Sequence, residues 1–100
     1  MDWNKLLGDI RNYLDITYED SDTDKKLEGI IKRGMNYLDN VAGDKQDYEK
    51  EELPRSLLFD YCRYTRNNAF EIFETNFKAE LIALRIGVQT DDFAWQQGYI

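Results

Sequence analysis

Leu53–Phe77, LPRSLLFDYCRYTRNNAFEIFETNF, is the stretch whose reading decides the fold. Pro54 suits the first turn of a helix, where its missing N–H is harmless. With Leu57 at the origin and about 100° per residue, Leu57, Leu58, Tyr61, Cys62, Thr65, Ala69, Ile72 and Phe73 share an arc of about 160° and are expected to form a core face. Phe59, Phe70, Phe77 and Leu84 gather on a second stripe, with Leu81 just beyond and Arg63 and Arg66 projecting among them. Asp60, Asn67, Glu71 and Glu74 fill the remaining arc. A helix with two apolar stripes must have its second one covered by something.

The helical pattern runs on through ELIALRI and is expected to end at Gly87. One straight helix of that length would measure about 50 Å, too long for a domain whose radius of gyration should be about 13 Å, so a bend is expected near Thr75–Phe77. Upstream, Trp3, Leu6, Leu7, Ile10 and Leu14 mark a first helix over Asp2–Leu14, with Asp2 as its cap. The acidic connection Asp15–Asp22 offers Ile16 and Tyr18 to the core. A second helix should begin near Ser21–Thr23, run to about Ala42 on Leu27, Ile30, Ile31, Leu38 and Val41, and stop at Gly43. Gly29 and Gly34 within it each cost about 1 kcal/mol relative to alanine. Residues Asp44–Glu52 read as a charged loop. The expectation is therefore all-α: a three- to four-helix domain over residues 1–87, with a long helix in the C-terminal half. An irregular aromatic tail follows over residues 88–100, either folding back on its domain or docking on another subunit.

One hundred residues suffice for a single domain, and 42% hydrophobic and 14% aromatic content argue for a real core. No run approaches the roughly 20 apolar residues of a membrane helix, and the amphipathic start MDWNKLLGDIRNYL reads as neither signal nor transit peptide. A soluble intracellular protein is expected. Cys62 is the only cysteine, so no internal disulfide can form; at helical spacing among apolar neighbours it reads as a buried, inert thiol. The chain has no histidine, which removes Ser-His-Asp and Cys-His arrangements and the usual zinc sets. There is no glycine-rich phosphate loop, and no catalytic, cofactor or metal residues are expected. Asp20, Asp22 and Asp24 imitate the start of a calcium loop, but Lys25 and Ile31 stand where it requires Gly and Glu. The net charge of −7 argues against coating of DNA. Lys25, Lys26, Lys32 and Arg33 form the only basic group, and Glu28 interrupts it.

Aromatics mixed with arginines have the composition of a protein–protein interface centre. The candidate interface residues are Phe59, Arg63, Arg66, Phe70 and Phe77 on the helix, with Phe93, Trp95 and Tyr99 in the tail. The competing reading makes the helix central, covered on both sides by its own domain, with its arginines snorkelling or pairing with carboxylates.

The segments DTDKKLEGIIKRGMNYL (Asp22–Leu38), LPRSLLFDYCRYTRNNAFEIFETNF and ELIALRI resemble the small head–tail connector proteins of tailed bacteriophages and of prophages of Gram-positive bacteria. The likeness covers roughly Leu6–Ile86, and LLFDYCRYTRNNAFEIFE is its most specific part. It implies a non-enzymatic, α-helical adaptor at the head–tail interface of the virion, present in the host cytoplasm during assembly. Copies would form a ring below the portal protein, twelve-fold to match it, extend the DNA channel, and offer a docking surface to a downstream neck or tail-completion protein. DNA would pass through without specific binding, repelled by an acidic lining, and no membrane would be involved. The alternative is a small acidic regulatory module, a DNA mimic or anti-repressor-like binder, acting on a basic protein partner.

Overall fold

The structure, a computed structural model, describes residues 1–90 as five α-helices: α1 (Trp3–Tyr13), α2 (Ser21–Ala42), α3 (Leu53–Arg66), α4 (Phe70–Asn76) and α5 (Lys78–Thr90). The ends of the first two follow from single side chains. Asp2 caps α1 by accepting from the Lys5 N–H at 3.1 Å. Asp20 caps α2 by accepting from the Asp22 N–H at 3.1 Å and the Thr23 hydroxyl at 2.9 Å. The first acid of the D-x-D-x-D pattern is thus a cap, and the third, Asp24, lies 3.3 Å from Arg11.

Three helices stop with the same left-handed turn. Gly43 ends α2 at φ 84°, as its sequence position implies, but Asp15 (φ 59°) and Asn68 (φ 55°) do the same after α1 and α3 without glycine. In the latter two, the turn residue donates to a carbonyl three residues back and its successor to one five back: Asp15 to Asn12 and Ile16 to Arg11, Asn68 to Thr65 and Ala69 to Tyr64. This pair of hydrogen bonds satisfies carbonyls that a helix end leaves open, and short polar Asn and Asp tolerate the conformation.

The core joins Leu6 and Ile10 of α1 and Leu27, Ile31 and Leu38 of α2 to Leu57, Leu58, Tyr61 and Cys62 of α3, closed by Phe73 and Leu84. Helix α3 packs closely on α2 at Gly34. A β-carbon there would lie 2.6 Å from Cδ1 of Tyr61 and 2.9 Å from Cδ1 of Leu58, so glycine permits the approach. Ile16 tucks into the core as expected, whereas Tyr18 remains 53% exposed.

Four expectations are corrected. The C-terminal half is broken twice: at Phe77, within the bend expected near Thr75–Phe77, and also at Asn67–Ala69, where none was expected. The breaks keep the longest dimension to 43 Å, below the length of a straight rod. The earlier break resets the helical phase, so Ile72, assigned to the core face, is 53% exposed while Phe73 is fully buried. Helix α5 passes through Gly87 to Thr90. Lastly, the charged loop contains a core residue: Tyr48 is 1% exposed. Its hydroxyl donates to Asp39 Oδ1 at 2.7 Å and lies 3.1 Å from the Met35 carbonyl, while its own carbonyl accepts from Arg55 at 3.0 Å. Arg55, also buried, donates to Asp9 at 2.7 Å and pairs with Glu51 at 3.2 Å. One arginine thereby ties α1, the loop and α3 together.

Candidate interaction face

Phe59, Arg63 and Arg66 recur at i, i+4 and i+7 along α3 and share one flank of it. Phe59 is half-buried, with the Arg55 guanidinium 4.7 Å from its ring centre on one side and the Tyr13 ring 5.4 Å away on the other. Arg63 is exposed, lies 3.3 Å from the Asp60 carboxylate and stacks on Tyr64 at 4.7 Å. Exposed Arg66 reaches back to donate to the Tyr18 hydroxyl at 3.3 Å. Tyr13, 44% exposed, donates to Asp60 at 2.6 Å, and that bond, aided by burial, raises the phenol's pKa. The flank is thus a shallow surface of two partly exposed tyrosines, a half-covered phenylalanine and two arginines held in place by local contacts. Its planar, pre-oriented groups suit contact with another protein.

Phe70 and Phe77, placed on the same stripe by periodicity, lie elsewhere. The turn at Asn68 carries them to the opposite flank of α3, around the buried Phe73. Phe70 meets Tyr37 at 5.3 Å and Tyr61 at 5.6 Å; Phe77 meets Phe73 at 5.1 Å and Tyr64 at 5.6 Å. Both remain half-buried, covered on their inner sides by their own domain. Edge-to-face and offset pairs of this kind add to the area they bury. Tyr37 also donates to Glu74 at 2.8 Å, fastening α4 to α2, and burial with that bond pushes its pKa up. The stripe is therefore two sites: an open aromatic–arginine flank and an aromatic cluster closing the core. Phe93, Trp95 and Tyr99 lie outside the described residues.

Tyr13 and Tyr18 lie outside the α3 period, so helical periodicity gives no signal that they join this flank. The basic group is also rearranged. Lys32 sits 5.6 Å from the Trp3 ring centre, while Lys25, Lys26 and Arg33 join Arg66 in a groove between α2 and the end of α3. Cys62 is fully buried, and desolvation pushes its thiol up to about 12. It is therefore protonated and shielded at neutral pH. Among the described residues, no three His, Cys, Asp or Glu side chains are grouped to hold a metal ion, and no helix is long and apolar enough to cross a membrane. The chain matches no family model, no curated protein and no solved structure.

Proposed function

We propose that this protein is a structural adaptor, the head–tail connector subunit of a tailed bacteriophage or prophage. Copies assemble as a ring below the portal, extend the DNA channel and provide the attachment point for neck or tail-completion proteins. The sequence likeness over Leu6–Ile86 supports this reading, as does the helical architecture. The observation that carries it is the flank of α3 where, among the described residues, exposed Arg63 and Arg66 stand beside Tyr13, Tyr18 and the half-buried Phe59. A ring subunit needs two different contact surfaces, since heterologous contacts must close on themselves. The net charge of −7 is in keeping with such a channel, since an acidic lining would repel phosphates and let DNA slide without sticking.

The test is co-expression with the portal protein encoded nearest its gene, followed by co-purification and negative-stain imaging. Rings of the chain on portal particles are expected, and Arg63→Glu with Arg66→Glu should abolish them while the circular dichroism of the free subunit stays unchanged. A chain that never associates with the portal overturns the proposal. Salt-sensitive binding to a basic DNA-binding protein in its place would favour the acidic regulatory module.

A further inference from the structure

An open groove of about 700 Å³ runs between the N-terminal half of α2 and the turn after α3. Lys25, Lys26, Arg33 and Arg66 line it, with Ile30 between them and Asn68 at one end. Among the described residues none of the four cations is paired with a carboxylate. Asp24, nearest in sequence, is held by Arg11. In a chain carrying 20 acidic residues against 13 basic ones, this is an unusual concentration of one sign. Gathered like charges repel until an anionic group arrives between them.

We infer that this groove receives the segment after α5, Asp91–Trp95, from a second copy of the chain. That segment, DDFAW, supplies two adjacent carboxylates for the cations and two large rings for the apolar strip at Ile30. Other acidic segments suit it less: Glu49 and Glu51 of the charged loop are held by the amino terminus and Arg55, and Asp20 is engaged as a helix cap.

Geometry directs the segment to a neighbour. Helix α5 starts beside Phe77, which packs on Tyr64 near the groove end of α3. By Arg85 it has reached Asn40–Gly43, at the far end of α2. The groove centre lies about 13 residues back along α2, a distance of about 20 Å. Asp91 and Asp92 follow within two residues of Thr90 and can span only about 7 Å. The contact is head-to-tail, and so deepens the ring-subunit reading on which it rests.

The test uses the full chain and a fluorescein-labelled peptide of residues 88–100, with amide shifts recorded on isotope-labelled protein. Saturable binding is expected, with shifts centred on Gly29, Asn67 and Asn68. Lys26→Glu with Arg33→Glu should weaken it about tenfold or more at low salt. A peptide carrying Asp91→Lys and Asp92→Lys should fail on the natural chain and recover on that double variant, which guards against a folding artefact. Absence of binding, indifference to charge reversal, shifts confined to other surfaces, or a short oligothymidylate binding there while the peptide does not would each overturn the inference. None of these outcomes requires the portal, so portal binding with no peptide binding rejects the groove alone, and the converse rejects the connector reading alone.

Discussion

The two ends of α3 are held by opposite chemistry. At its start, Arg55 gathers Asp9, Glu51 and the Tyr48 carbonyl, with Tyr48 in turn bonded to Asp39. At its finish, Tyr61 and Tyr64 meet Phe70, Phe73 and Phe77 with ring centres 5.6 to 5.9 Å apart. The polar end depends on a few directional bonds that must all be satisfied. The aromatic end depends on filled volume, and so responds to size more than to charge. Cutting the two ends should therefore produce different signatures.

The largest effect is expected from Phe73→Ala, which empties the centre of the ring cluster and should lower unfolding free energy by about 3–5 kcal/mol, measured by urea titration. Gly34→Ala comes next. Its methyl would press on the buried Tyr61 ring, a loss of about 1–3 kcal/mol. Gly29→Ala in the same helix meets only the movable Arg33 guanidinium at 3.3 Å, and should instead gain up to about 1 kcal/mol. Equal signs at the two glycines would refute the close crossing.

At the polar end, Tyr48→Phe should lose about 1 kcal/mol at pH 7. Burial first, and then the bond to Asp39, hold this phenol's pKa above its ordinary value of 10.0. Its contribution is therefore complete below about pH 10 and fades above it, as the unfolded chain ionises first, by up to about 1.4 kcal/mol per pH unit. The Phe variant should show a shallower alkaline decline, and an unchanged slope would break the assignment. Smallest is Ile72→Asp, expected to change stability by no more than about 0.5 kcal/mol because the side chain faces outward. Unfolding by that substitution would restore the unbroken helix.

Much of this was legible beforehand, and the exceptions share a cause. The caps at Asp2 and Gly43, the stripe of Leu6 and Ile10, and the core group Leu57, Leu58, Tyr61 and Cys62 all follow from local rules. The turn at Asn67–Asn68 had a signal, since asparagine also ends helices in a left-handed residue, but apolar periodicity on either side masked it. Missing that turn misplaced Ile72 and merged the Phe59 flank with the Phe70 cluster. Tyr48 and Arg55 had no such signal, because their partners Asp39 and Asp9 are distant in sequence and periodicity reports only on neighbours.

By itself, the sequence determined the helical class, the first two helices with the caps at Asp2 and Gly43, and which side of α3 enters the core, because these depend on interactions within a few residues. Only the tertiary structure decided where the second stripe divides, how a charged loop contributes a buried tyrosine, and that Arg66 joins three α2 cations in one groove. Those outcomes depend on the angle at which the chain leaves Asn68 and on contacts between distant segments.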